Sequence, residues 1–330
     1  MRAVRRVGTR LLTGLVLIWV VASGTFFLVR LMPGNPVTAQ YQNDVLHGMS
    51  PDAARAATAL LYGFVPRQPL GQQYLQYLWQ LAHLNLGRSI SYEGVPVAHI
   101  VASAAPWTVI LVLSGIVVSF AIGVSAGVLA AVKRSTRLGD LLTVSGSVLH
   151  GIPQFVLAIL LAYVFTTIWA VLPFGAPYDV TIAPGWNVAF IGSLITHAIL
   201  PVAAYALSGY GGWLLTMKSS VVSVLGDDFI LGAELRGLRR LTVARYIARN
   251  AMLPLFTILA LSAGFMFGGS IFIEEIFDYP GLGYTLLASI GTRDYPLMTG
   301  TFLIITVAVV AANILADLLY GVIDPRVRRT

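Results

Sequence analysis

Three arrangements of residues in this 330-residue chain invite a chemical reading. Gly123-Val-Ser125-Ala-Gly127 has the letters of a nucleophile elbow, in which a strand–turn–helix bend presents a serine to a histidine. Here the pentad sits inside an uninterrupted apolar run. That context predicts a helix whose Gly123 and Gly127, four apart, form a small-residue face for a neighbouring helix. The five histidines, His47, His83, His99, His150 and His197, show no H-E-x-x-H spacing and join no acidic cluster. With no cysteine in the chain, neither a disulfide framework nor a metal site is predicted. His150, beside Gly151 and Pro153 in an apolar segment, suits a helix–helix hydrogen bond better than a relay. Asn313 and Asp317 share one helical face near the end of the last apolar run, where packing or anchoring is expected. A phosphate-binding G-x-x-x-x-G-K-[ST] loop is absent, because the two lysines, Lys133 and Lys218, follow Val132 and Met217. The chain carries no P-loop nucleotide site of its own.

The elements that must hold these residues are membrane helices. Hydrophobic residues make up 57% of the chain and charged ones 11%, whereas a water-facing domain carries about a quarter charged residues. Segments 11–31, 107–132, 141–172, 191–217, 252–273 and 298–323 each hold the roughly 20 apolar residues needed to span a bilayer. Sixteen lysines and arginines fall in the N-terminal tail, the second-to-third and fourth-to-fifth connections and the C-terminal tail, against five elsewhere. The positive-inside rule therefore puts both termini in the cytoplasm, as an even number of spans requires. The net charge of +7 follows from that topology, and no nucleic-acid partner is implied. Segment 1–31 exceeds a usual signal-peptide core and is expected to remain as the first span.

The resulting layout is all-α: tail 1–10, first span 11–31, extracytoplasmic segment 32–106, core 107–323 and tail 324–330. Pro33-Gly-Asn-Pro36 ends the first span, Ser50-Pro-Asp52 starts a helix, and apolar residues from Leu70 to Leu84 recur at helical spacing. The cytoplasmic loop 218–251 is long and charged, yet its apolar residues argue against disorder. A helix ending near Gly237, a turn, and a basic amphipathic helix from Leu238 to Asn250 are expected there.

Ala233-Glu-Leu-Arg-Gly237-Leu, followed by Arg249-Asn-Ala-Met-Leu-Pro254, resembles the "EAA" loop of binding-protein-dependent ABC importer permeases. Arg30-Leu-Met-Pro-Gly-Asn-Pro36, Leu86-Gly-Arg-Ser89, Ile152-Pro-Gln-Phe155 and Glu275-Ile-Phe-Asp-Tyr-Pro-Gly-Leu-Gly283 extend the likeness. Arg293-Asp-Tyr-Pro296, Asp317-Leu-Leu-Tyr320 and Asp324-Pro-Arg326 complete it. This ordered set is similar to the first permease subunit of the dipeptide/oligopeptide/nickel family. The resemblance implies a type I ABC importer permease fold in the cell membrane. It also implies a coupling helix docked on an ATPase, with contacts at Asp228, Ala233, Glu234, Leu235, Arg236, Gly237 and Leu238. Outer-loop contacts to a solute-binding protein would fall on Glu275, Tyr279, Pro280, Gly281, Gly283, Arg293 and Asp294. The implied partners are a second homologous permease, two ATPase subunits (or one fused ATPase) holding ATP and Mg, the binding protein and the bilayer. The alternatives are an intramembrane serine hydrolase built on Ser125 and an ion-coupled secondary transporter.

Overall fold

Long apolar runs satisfy their backbone groups internally only as helices. The computed structural model describes residues 2–31, 36–62 and 69–323, and every named element among them is a helix. The helices are α1 (Arg2–Leu31), α2 (Pro36–Leu46), α3 (Pro51–Tyr62), α4 (Leu70–Ala82), α5 (Val97–Val132) and α6 (Arg137–Gly151). They continue with α7 (Gln154–Ala162, prolonged as a π-helix over Tyr163–Ile168), α8 (Val188–Leu225), α9 (Asp228–Leu235) and α10 (Arg240–Ala251). The last three are α11 (Leu253–Ile276), α12 (Leu282–Gly291) and α13 (Tyr295–Ile323). Motif residues 32–35 and 324–330 lie outside the described residues.

Among the described residues, four helical stretches are long and apolar enough to cross a membrane: Gly8–Val29, Val97–Val132, Val188–Leu225 and Tyr295–Leu315. α6 and α7 together add a fifth, but bent by 101°. Helix α11 occupies the place of the expected fifth span. The boundaries differ from the sequence reading in several places, α1 for one starting at Arg2 rather than at 11. The expected single span 141–172 is broken at Ile152-Pro153, where proline has no N–H to continue the ladder. α5 starts ten residues earlier than expected and runs through Pro106. α8 runs on to Leu225, because no breaker follows Met217 until Gly226, so Lys218 belongs to a helix rather than to the loop.

The chain divides into two units, the first comprising 1–108 and 280–311, the second 109–279 and 312–330. In the first, α1 and α4 meet through aromatic rings: Phe26 lies 5.5 Å from Tyr74 and 5.2 Å from Tyr77, centre to centre. Ser23 Oγ and Tyr74 Oη share a 2.7 Å hydrogen bond beside them. The expected cap of α3 is present, with Ala53 N donating to Ser50 Oγ at 3.3 Å.

In the second unit α8 is the central element, packed by α6, α7, α10 and α11. Glycines let the backbones close up. A Cβ on Gly123 would stand 2.5 Å from Trp213 Cβ, and one on Gly127 2.7 Å from the Leu214 carbonyl oxygen. Polar pairs lie along the same interfaces: Trp213 Nε1 donates to Ser119 Oγ at 3.1 Å and Lys218 Nζ to Thr143 Oγ1 at 2.8 Å. Ser125 Oγ is spent on the Ala121 carbonyl within α5, at 2.7 Å. The glycine pair is therefore a packing face, and the serine lacks the strand–turn–helix setting of a nucleophile.

Candidate functional site

The inner candidate is built at the foot of α8. Gly226 closes that helix, and Asp228 opens α9 within the next two residues. Ile230 and Ala233, 3% and 5% exposed, sink into a cluster with Trp213, Met217, Val221 and Val224 of α8, Val243 and Ala251 of α10, and Leu255 of α11. The other side of α9 stays bare: Phe229, Leu231 and Leu235 are exposed, Leu235 at 80%. Burial thus splits the apolar residues here: Ile230 and Ala233 anchor the helix, while Phe229 and, past its end, Leu238 face outward.

The helix stops by a specific device. Leu238 N reaches back to the Ala233 carbonyl at 3.2 Å while Gly237 takes a left-handed φ of +69°. This is the six-residue helix ending that favours glycine at its turning point. Arg239 then starts α10, accepting from Thr242 N at 2.8 Å and Val243 N at 3.2 Å. Asp228, Arg236 and Gly237 are exposed, while the Glu234 side chain lies outside the described residues. The result is a short, rigidly seated helix with charge at its start, a turn at its end and an apolar row between.

The outer candidate residues divide between the two units. In the second, α11 ends by the same device, with Tyr279 N on the Glu274 carbonyl at 2.8 Å and Asp278 at φ +56°. A non-glycine residue in that region is strained by roughly 1–2 kcal/mol. Glu275 is exposed and Tyr279 is buried. Burial raises the Tyr279 phenol from its ordinary 10.0 to about 12. Because the folded value is raised, the stability contributed by the neutral phenol is complete below pH 10 and is lost as pH climbs towards 12. In an ultraviolet titration, Tyr279→Phe should delete a phenolate step near pH 12.

In the first unit Pro280 and Arg293 are exposed, whereas Gly281, Gly283 and Asp294 are buried. Arg293 has φ +56°, and Asp294 N closes the end of α12 on the Ser289 carbonyl at 2.8 Å. Asp294, fully buried, is the hub of this region. Its Oδ1 caps α13 by accepting from Leu297 N at 3.1 Å. Its Oδ2 accepts from Ile90 N and Ser91 N, both at 2.9 Å, and from Ser89 Oγ. Ser91 Oγ and Thr292 Oγ1 add a bond at 2.9 Å. The sequence quoted Leu86–Ser89 and Arg293–Pro296 as separate motifs, and no spacing signalled that they meet. Leu282 N, at the start of α12, donates to Thr108 Oγ1 of α5 at 2.8 Å, a partner that sequence reasoning also missed.

Among known proteins, residues 123–329 match the family described as binding-protein-dependent transport system inner membrane component. A protein of Brucella suis biovar 1 named a peptide permease is 33% identical over 323 residues, 97% of this chain and 98% of its own length. The dipeptide transport system permease protein DppB of Escherichia coli K12 is 32% identical over 324 residues, covering 92% of this chain and 93% of that one. The nickel import system permease protein NikB of Staphylococcus aureus is 30% identical over 325 residues, 97% of this chain and 90% of its own.

Proposed function

Since the chain belongs to the family of binding-protein-dependent ABC importer permeases, multi-pass proteins of the cell membrane, we propose that it is one of two homologous subunits that pass short peptides into the cytoplasm. The named relatives cover peptides, dipeptides and nickel, and the solutes of this chain are peptides or kindred small molecules. In this account six spans cross the membrane and both termini lie inside, as the distribution of basic residues favours. An extracytoplasmic binding protein delivers the solute to the outer loops. ATP and Mg are held by partner ATPases, since this chain has no P-loop sequence.

The observation that carries the proposal is the seating of α9. Ile230 and Ala233 pack it into a cluster with α8, α10 and α11, so a force on its bare face is delivered to two long helices and the short one between them. Phe229, Leu231, Leu235 and Leu238 supply the apolar contact, and Asp228 and Arg236 supply charges that set register. ATPase closure pushes this face and rocks the spans between inward-open and outward-open states.

Leu235→Asp removes no internal packing, since the side chain is 80% exposed. In the full transporter reconstituted with its ATPases and binding protein, it should lower ATP-driven peptide uptake at least ten-fold while assembly of the spans is kept. Gly237→Ala strains the turn by roughly 1 kcal/mol with open space around the new methyl, so a milder uncoupling follows. Uptake by Leu235→Asp at the normal rate, with the ATPases bound, would remove α9 from the coupling path. Hydrolysis at Ser125 is not favoured, for its hydroxyl is engaged within its own helix.

A further inference from the structure

The third apolar segment is broken where a lipid-facing helix cannot be. α6 rises 15 residues from the charged turn at 133–137. At 1.5 Å per residue its end lies about 22 Å from that turn, within a hydrocarbon layer roughly 30 Å thick. There the chain bends by 101°. Pro153 has no N–H for the Leu149 carbonyl. Among the described residues, the backbone hydrogen bond left at the break runs from Ile152 N to Leu149 O and is long, 3.4 Å. The carbonyls of His150 and Gly151 stand past the last amide of their own helix.

His150, Gly151 and Pro153 are nevertheless all exposed on this chain. Gln154 Nε2 is closed off from solvent without a hydrogen-bond partner among the described residues. The His150 ring rests on α8, where a Cβ at Gly212 would come within 3.5 Å of its Cε1. Two residues past the break, Phe155 lies 5.9 Å from Phe272 of α11, with both rings exposed. Irregular backbone at membrane depth is tolerated only inside protein or along water. A dry contact with another subunit would have to supply donors to these carbonyls one by one. Water supplies them without such matching, and so do the N–H groups of a passing solute.

The geometry points to this break as part of the solute path: carbonyl oxygens at the end of α6 and the His150 imidazole accept hydrogen bonds from the protonated amino group and amide N–H groups of a short peptide. The negative end of the α6 dipole favours that positive charge, and the Phe155–Phe272 pair offers π faces to it. The assignment rests on the permease reading.

The chain contains no cysteine, so single thiols can be introduced cleanly. His150→Cys and Gly151→Cys are placed in the full transporter, with cysteines removed from its partners, and Val117→Cys on α5 serves as an exposed apolar control. Each is treated with the membrane-impermeant cation 2-(trimethylammonium)ethyl methanethiosulfonate, with and without ATP and vanadate, and uptake of di- and trialanine is measured. The expected result is labelling of both break variants in at least one state, slowed by excess peptide, with uptake falling at least ten-fold. Val117→Cys should stay unlabelled. His150→Cys keeps the Cβ that packs on α8 and carries the test if Gly151→Cys does not assemble. Intact uptake with no labelling in either state overturns the assignment, as does labelling that leaves uptake unchanged. A wild-type complex that hydrolyses ATP but takes up neither peptide would fault the peptide reading; the labelling result still judges the path.

Discussion

Asp294→Ala should loosen residues 89–91 and the turn between α12 and α13 far more than the loss of an exposed carboxylate would. The substitution strips an acceptor from Ile90 N, Ser91 N, Ser89 Oγ and Leu297 N in a site with no exposure. Leaving a buried donor unsatisfied costs about 1–3 kcal/mol each. Relaxation and water entry recover part of that, so a net loss of roughly 3–5 kcal/mol is expected. Asp294→Asn keeps the volume and one acceptor oxygen and should lose about half as much. The readout is local as well as global. Arg88 is exposed beside Ser89 and is held by a 2.8 Å bond from its guanidinium to the Gly94 carbonyl. Trypsin added to the detergent-solubilised protein should cut there at least ten times faster in Asp294→Ala. Asp52→Ala, which loses only an exposed 3.5 Å pair with Arg55, should change stability by less than about 1 kcal/mol. Equal melting and cleavage in Asp294→Ala and wild type would show that the hub is not a hub.

The second large effect belongs to Gly211. A Cβ there would stand 2.1 Å from the Gly146 carbonyl oxygen and 2.7 Å from His150 Cβ. Backbone cannot yield as a flexible side chain can, so α6 and α8 must separate along their shared face. Overpacking of this kind costs roughly 1–3 kcal/mol and more when main chain is the obstacle. Gly211→Ala should therefore lower the melting temperature of the detergent-solubilised transporter sharply or prevent assembly. Gly192→Ala is the internal control, on the same helix and with nothing within 4 Å of the new methyl. Alanine's better helix propensity makes that change neutral or stabilising by up to about 1 kcal/mol. Similar losses in both variants would mean that glycine content, not close approach, governs α8.

Much of this architecture was legible because it rests on local rules. Ser50 caps α3, the spacing from Leu70 onward gives α4, and Gly237 turns between two inner helices. Gly123 and Gly127 declared a packing face because an apolar helix leaves paired glycines no other common use. Prolines were harder. Pro106 and Pro201 lie inside continuous helices, while Pro153 marks a bend of 101°. The residue type is the same and the surroundings decide. Also hidden were the left-handed turns at Asp278 and Arg293, which glycine would have advertised. Least visible was the role of Asp294 Oδ2, whose hydrogen-bond partners lie more than 200 positions away. Asp before Tyr295-Pro296 signals a helix start, but nothing in the local sequence announces the three donors that reach Asp294 from 89–91.

The length of α8 has a mechanical consequence. Its 38 residues reach about 57 Å at 1.5 Å per residue, well beyond the roughly 30 Å of hydrocarbon. α9 is fastened to the overhanging end. Force applied there acts on a lever arm of nearly 30 Å measured from mid-helix, so a tilt of only about 5° swings the tip by roughly 2–3 Å. A push of roughly 2–3 Å delivered at that end is thereby returned, through a pivot at mid-helix, as an equal and opposite swing at the far end of the same helix.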